Sequence, residues 1–190
     1  FRRVLFRSSV EVGLWGINHP AYSHLINVLL YTLTLLLVFI LLTSYFSINE
    51  WTSFFATLLF AIHPIHTEVV ANIKSRDEIL SLLMVVSSLL LLWKYLHEQK
   101  KKSLFFSLLI FFLALLSKEN AITFVAGIPL LLFCFSDLKK NKIFSISLWY
   151  LLVAFVYLIV RSSVFHNSDS ENTSSTDGFL IINYPFLLAT

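Results

Sequence analysis

Apolar residues fill long uninterrupted stretches of this chain, and polar residues gather in the short segments between them. The apolar stretches predict six helical spans, at residues 25–45, 51–62, 79–95, 104–116, 121–135 and 143–160. A membrane-crossing α-helix needs about 20 apolar residues, and a shorter run indicates a re-entrant or tightly packed segment. We therefore predict an all-α, polytopic helical membrane protein with a six-span core over residues 25–160.

Composition supports a membrane protein over a soluble one. Of the 190 residues, 57% are hydrophobic and only 13% are charged, whereas soluble domains are about one quarter charged. The single cysteine, Cys134, lies in an apolar run, which excludes a disulfide framework and a cysteine metal site. The net charge of +3 does not predict a nucleic-acid partner, because the lysines are accounted for by membrane topology.

The segments outside the core have their own patterns. Residues 161–178 are rich in Ser, Asn, Asp and Thr and predict an outer polar loop, while residues 9–24 predict an outer juxtamembrane segment. Residues 179–190 begin a further apolar segment, and the chain starts without Met, so we expect a fragment truncated at both ends. Arg2–Ser8 equals an in-frame translation of a common sequencing-adapter sequence. We expect residues 1–8 to be an artefact of that origin, the alternative being a real basic juxtamembrane segment.

The lysines predict the orientation. The connections 97–102 and 137–142 are separated by two spans, so they share one side, and lysine-rich short loops stay in the cytoplasm. With residues 1–8 left out, that side carries seven basic residues and the opposite side four. The remaining polar segments therefore face outwards, to the periplasm if the membrane is a bacterial inner membrane or to the lumen if it is the endoplasmic reticulum.

The densest polar segment, residues 63–78, is predicted to lie at this outer interface. It contains His63, His66 and Glu68, followed by the charged residues Lys74, Arg76, Asp77 and Glu78. Pro64 disfavours helical geometry in the preceding residue, so we predict that a helix ends at His63. Residues 65–73 predict an amphipathic piece, with Glu68, Asn72 and either Ser75 or Arg76 on one helical face.

Several of these residues suit an anionic ligand. His63 and His66, with Glu68 nearby, suit hydrogen bonds to a phosphate; a divalent metal is disfavoured because Pro64 interrupts regular helical spacing. The alternative is a pair of helix-end histidines satisfied by carbonyls and water. Arg76 offers a bidentate fork and Lys74 a point charge to phosphate. The alternative is an interfacial ion pair of Arg76 with Asp77 or Glu78 that reaches towards water.

Two further segments carry more polar residues than a tight turn or the start of an apolar span requires. The turn Ser117–Asn120 contains Lys118 and Glu119. A tight turn needs only small polar residues, so this charged pair has either a functional role or is simply solvated, and both interpretations remain open. His24 and Asn27, at the start of the first span, suit the orientation of a neighbouring loop. The alternative there is an interfacial aromatic belt including Tyr22.

Three blocks together resemble a known family. Residues 58–83 (LLFAIHPIHTEVVANIKSRDEILSLL) are similar to the signature of the transmembrane and tetratricopeptide-repeat O-mannosyltransferases and their bacterial homologues, in the GT-C superfamily. Residues 15–31 (WGINHPAYSHLINVLLY) and 114–123 (ALLSKENAIT) resemble two more family segments, in the family's order. The departure is Tyr31, where family members often carry histidine.

The resemblance implies an inverting glycosyltransferase that needs no cofactor. It would move a sugar, typically mannose, from a polyprenyl- or dolichyl-phosphate carrier in the bilayer to a hydroxyl, such as Ser or Thr of a protein, at the outer face. The family's general base lies upstream of these blocks and its repeat domain downstream, so this fragment is expected to be inactive alone. The resemblance leaves Glu68 and Asp77 as auxiliary catalytic candidates, and it matches His63, His66, Arg76 and Lys118 to family positions that suit the donor phosphate. The charge pattern adds Lys74 to the phosphate-binding residues. Glu119, His24 and Asn27 are expected to have supporting roles.

Two alternatives belong to other classes of protein. A transporter would place ionisable residues or Gly and Pro breaks deep within its spans, and a non-catalytic scaffold would bind the lipid carrier without transferring its sugar. The span centres here are nearly free of charge, which favours the enzyme.

Overall fold

The computed structural model describes residues 20–45, 48–72, 75–136 and 138–183. Within these ranges every element of secondary structure is a helix and there is no strand, so the predicted all-α architecture is confirmed. The helices are α1 (Pro20–Tyr45), α2 (Glu50–Ile62), α3 (Pro64–Ala71), α4 (Arg76–Glu98), α5 (Lys101–Ser117), a 3₁₀ helix (Glu119–Thr123), α6 (Phe124–Phe135) and α7 (Lys140–Asn183).

Three of these helices contain segments long and apolar enough to cross a membrane. They are His24–Ser44 of α1, Arg76–Glu98 of α4 and Lys140–Ser163 of α7, while Glu50–Ile62 and Glu119–Phe135 are apolar but shorter. The protein is therefore a helical membrane protein, as the apolar runs predict. The number of helices that cross the bilayer stays a prediction.

The structure differs from the sequence-based expectation after residue 160. Residues 161–178, expected to form a loop, continue as helix α7. No proline interrupts them and the only glycine there is Gly178. Ser, Asn, Asp and Thr each cost only a fraction of a kcal/mol in a helix, so local composition alone does not end α7.

The expected common helical face of Glu68, Asn72 and either Ser75 or Arg76 is wrong, because no single helix runs through these positions. Helix α3 ends at Ala71 and α4 begins at Arg76, so the three residues do not share one helix. The Ser75 N–H donates to the Asn72 carbonyl at 3.0 Å and forms a separate turn. Asparagine favours such turns because its side chain competes for backbone hydrogen bonds.

Helix α4 occupies the centre of the bundle, packed against α1 and α5, and α7 packs against α5 and α6. Apolar side chains such as Leu92, Phe111 and Leu132 are fully buried between them. A polar seam also runs between α4 and α5. The Ser88 hydroxyl donates to the Ser107 carbonyl at 2.9 Å, the Ser107 hydroxyl donates to the Ser88 carbonyl at 2.6 Å, and Tyr150 of α7 lies 2.6 Å from the Ser107 hydroxyl. Small residues allow the two backbones to approach closely.

The polar connections gather at the two ends of α4, which has 23 residues and is about 34 Å long. At its C-terminal end, Gln99 adopts a left-handed conformation with φ of 54° and accepts a hydrogen bond from Lys142 at 2.8 Å. Lys100 pairs with Glu98 at the same end. The lysine-rich connections therefore lie together, as the topology prediction requires, and away from Arg76.

Candidate functional site

The break between α2 and α3 is built around His63. Its backbone is extended, with φ of −63° and ψ of 131°, and its N–H donates to the Phe60 carbonyl at 3.4 Å. Pro64 then opens α3, where its fixed φ suits the first helical position and its missing N–H costs nothing. The predicted helix end at His63 is confirmed.

The His63 side chain also starts the next helix. Its Nδ1 accepts a hydrogen bond from the Ile65 N–H at 3.4 Å, and its carbonyl accepts one from the His66 N–H at 3.0 Å. A neutral imidazole whose Nδ1 accepts carries its proton on Nε2. His63 is exposed, so Nε2–H can donate to a ligand.

His66 sits in a more apolar setting. Its ring centroid is 4.2 Å from that of Phe60, 6.1 Å from that of Tyr31 and 5.9 Å from that of His63. Partial burial, and then the nearby charge of His63, lower the pKa of His66. His66 is therefore neutral near pH 7 and can offer a phosphate a hydrogen bond but not a charge.

The side chain of Asn27 connects α1 to α3 and α4. It is fully buried on α1. Its Oδ1 accepts a hydrogen bond from Arg76 Nε at 2.8 Å, and its Nδ2 donates to the Val70 carbonyl at 3.4 Å. A buried amide must satisfy its hydrogen bonds within the protein. Asn27 thereby fixes one edge of the Arg76 guanidinium and the end of α3.

Two ion pairs extend the site from Arg76 towards α7. Lys118 Nζ lies 2.8 Å from Glu78 Oε1, and their side chains are 34% and 42% exposed. The neighbouring Glu119 pairs with Arg161 of α7, and the Ser117 hydroxyl donates to the Asp77 carbonyl at 3.3 Å. We call this group the charged end of the bundle; it consists of Asn27, Arg76, Glu78, Lys118, Glu119 and Arg161.

The structure describes the remaining predicted site residues only in part. Lys74 lies outside the described residues. Glu68 is on α3, but its side chain is outside the described part. Asp77 is partly buried in the first turn of α4, and His24 is exposed near the start of α1. Within the described ranges, no group of three or more metal-ligating side chains comes together, and the disfavoured metal stays untested.

Sequence reasoning missed two participants. Tyr31 donates a hydrogen bond to the Ala61 carbonyl at 3.1 Å, and Arg161, expected to begin a loop, instead joins the charged end. The available signal for Tyr31 was its spacing of four residues from Asn27, which places both on one face of α1.

The helical membrane fold, with a charged end where four helices meet, defines an integral membrane protein with a polar site at one end of its bundle. The sequence profile of the dolichyl-phosphate-mannose-protein mannosyltransferase family matches residues 19–166. The chain therefore belongs to this family, which confirms the family resemblance.

Individual relatives match a shorter stretch. The chain is 41% identical over 76 residues to protein O-mannosyl-transferase TMTC1 of Homo sapiens, and equally so to that of Mus musculus. Each alignment covers 40% of this chain and 8% of the relative, so the chain corresponds to a small part of these proteins. No solved structure matches the chain.

Proposed function

We propose that the full-length protein transfers mannose from a polyprenyl-phosphate carrier, such as dolichyl phosphate, to a Ser or Thr hydroxyl of a protein. In this proposal the charged end holds the carrier phosphate at the extracytoplasmic face of a multi-pass, GT-C-type membrane domain. The observation that carries it is the convergence of Arg76, Lys118 and Arg161, three cations from separate segments, at one end of an apolar bundle.

The chemistry requires cations at this position. The acceptor hydroxyl attacks the anomeric carbon, the bond from that carbon to the phosphate oxygen breaks, and the carrier phosphate leaves with additional negative charge. Fixed cations stabilise that charge, and a base removes the hydroxyl proton. A carrier embedded in the bilayer reaches only a site at the membrane surface, which is where the ends of the spans lie.

The carboxylates at the charged end are compatible with this role. Glu78 and Glu119 hold Lys118 and Arg161 in place through partly exposed ion pairs, and such pairs are weak because water screens them. A phosphate makes stronger, charge-assisted bonds to the same cations. The carrier phosphate can therefore replace the carboxylates as the partner of Lys118 and Arg161. His63 and His66 add hydrogen-bond donors beside it.

Glu68 and Asp77 are auxiliary in this proposal, and the main general base is supplied by another part of the full-length protein. The transporter alternative gains no support from the described helices. In the three apolar segments long enough to cross a membrane, the charged residues lie near the segment ends. Hydroxyl groups that are hydrogen-bonded to neighbouring helices occupy the interior.

The test is transfer of labelled mannose from dolichyl-phosphate mannose to an acceptor protein by the purified full-length protein in lipid nanodiscs. Arg76→Ala and Lys118→Ala each remove a charge-assisted bond and are expected to lower the transfer rate by about tenfold or more. Glu68→Gln is expected to lower it as well.

Lys142→Ala is the matched control, because Lys142 of α7 is a cation that binds Gln99 at the opposite end of α4. The transfer rate of this variant is expected to stay close to that of the wild type. Unchanged transfer in Arg76→Ala and Lys118→Ala, with correctly folded protein, would remove the charged end from the mechanism.

A further inference from the structure

We infer that Tyr31 is a positioning residue for the histidine pair: its hydroxyl holds the C-terminal end of α2 and thereby sets where His63 and His66 meet the donor phosphate. This inference rests on the proposed function, since it concerns how that site is built. Tyr31 is not placed in contact with the substrate.

The hydroxyl of Tyr31 binds the last turn of α2. It donates to the Ala61 carbonyl at 3.1 Å and, more weakly, to the Phe60 carbonyl at 3.5 Å. The last four carbonyls of a helix have no partner within that helix, and they carry its partial negative charge. A side chain that donates to such a carbonyl caps the helix, so a donor from α1 fixes where α2 ends.

Hydrogen bonds link the C-terminal end of α2 directly to His63. The Phe60 carbonyl accepts from both the Tyr31 hydroxyl and the His63 N–H. His63 in turn binds the first turn of α3 through its Nδ1 and its carbonyl. A shift at the end of α2 therefore moves both imidazoles together.

The same face of α1 holds the far end of α3. Asn27, one turn before Tyr31, binds the Val70 carbonyl and Arg76 Nε. Tyr31 and Asn27 thus fix the two ends of the segment that carries the histidines. The Tyr31 ring also lies 6.1 Å from His66. Losing the Tyr31 hydroxyl is expected to shift His63 and His66 relative to Arg76.

Tyr31→Phe removes the hydroxyl and keeps the ring. In the full-length protein, kcat/KM for dolichyl-phosphate mannose is expected to fall by about 3- to 10-fold, the effect of one hydrogen bond. Tyr95→Phe removes a hydroxyl near the other end of α4 and is expected to change kcat/KM by less than about twofold. Equal effects of the two variants would overturn the inference.

A double-mutant cycle separates positioning from general stability. If Tyr31 acts through the histidines, Tyr31→Phe is expected to change kcat/KM by less than about twofold in a background that carries both His63→Ala and His66→Ala, because residues that act through each other are not additive. Multiplicative effects would assign Tyr31 a purely structural role and overturn the inference.

A spectroscopic measurement does not depend on turnover. With ¹⁵N-labelled histidine, the ring signals of His63 and His66 in the folded full-length protein are expected to shift in Tyr31→Phe but not in Tyr95→Phe. Unshifted signals would overturn the inference whatever the activity. Shifted signals in a protein that transfers no mannose would support the contact and count against the proposed function alone.

Discussion

His66 is a histidine whose charge is decided by its neighbours. Phe60 and Tyr31 remove water from one side of the ring, and His63 places a like charge close by when it is protonated. Both effects favour the neutral form and lower the pKa of His66. The site therefore combines a neutral donor from His66 with the cations Arg76 and Lys118.

The lowered pKa of His66 predicts a pH dependence of stability. Above the ordinary histidine pKa of about 6.5, His66 is neutral in the folded and unfolded states and its contribution is fully present. As the pH falls below that value the unfolded state takes up a proton first, so stability is lost until the pH passes the lowered folded-state pKa. We expect the thermal unfolding midpoint in detergent to fall between pH 7.5 and 5.5, and to fall less in His66→Gln.

His97→Gln is the comparison for that measurement, because it removes a histidine that meets Trp93 edge to face near the opposite end of α4. The contribution of His66 is the difference between the two variants. If His66→Gln lost as much stability on acidification as the wild type, the environment of His66 would not be the cause.

At the level of residues, local chemistry could be predicted and contacts distant in sequence could not. Pro64 places a helix end at His63 because its ring restricts the preceding residue, and that effect needs no tertiary structure. The Asn27–Arg76 bond joins residues far apart in the sequence. It depends on the rotation of α1 about its axis, which an all-round apolar helix does not reveal.

Helices α4 and α5 are held together by hydroxyl groups as well as by apolar packing. The hydroxyls of Ser88 and Ser107 cross-link the two backbones, and Ser103 adds a bond to the Leu91 carbonyl at 2.8 Å. The serines are visible in the sequence, but nothing there indicates that they face one another. Their pairing depends on the relative register of two helices, which only packing determines.

Enlarging this seam is expected to destabilise the bundle. Ser107→Leu inserts a branched side chain at a fully buried position and removes the bonds to Ser88 and Tyr150. Overpacking of this kind costs about 1–3 kcal/mol, so we expect the free energy of unfolding in mixed detergent micelles to fall by that order.

Ser87→Leu is the matched comparison, since the Ser87 hydroxyl bonds only to its own helix, at the Leu83 carbonyl, among the bonds observed. Its free energy of unfolding should change by much less. Equal losses in Ser87→Leu and Ser107→Leu would show that the seam has no particular role.

On the scale of the whole molecule, the architecture separates two kinds of polar surface. Lysine-rich connections lie at one end of α4 and the charged end lies at the other. The hydrophobic runs predict this arrangement because a bilayer forces each span to be apolar and each connection to return to a surface. Whether residues 161–178 form a helix or a loop could not be predicted in the same way, because a polar segment outside the core can adopt either.

The orientation of these two ends across the membrane can be tested by cysteine labelling. In a Cys134→Ser background, Asn120→Cys and Asn141→Cys introduce single thiols at exposed positions on opposite ends. The lysine bias leads us to expect that a membrane-impermeant maleimide added outside sealed cells or spheroplasts labels the first and not the second. In sealed microsomes, whose lumen is enclosed, the labelling should reverse.

Detergent-permeabilised samples, in which both thiols should react, provide the control for accessibility. The reverse pattern in both preparations would place the charged end in the cytoplasm and contradict the proposed site of transfer.

Helix α2 has a consequence for the lipid around it. Its 13 residues extend about 20 Å, against a hydrocarbon thickness of about 30 Å, and it exposes Trp51, Phe55 and Leu59. If α2 crosses the bilayer, as the sequence predicts, acyl chains beside a helix this short must shorten to match it, at a modest elastic cost. The depression that results would bring headgroups and water down to His63, where α2 ends. Under the proposed function, a carrier phosphate approaching along α2 would then descend with the headgroups, so that the deformed bilayer, as well as the protein, would keep the phosphate solvated on its way in.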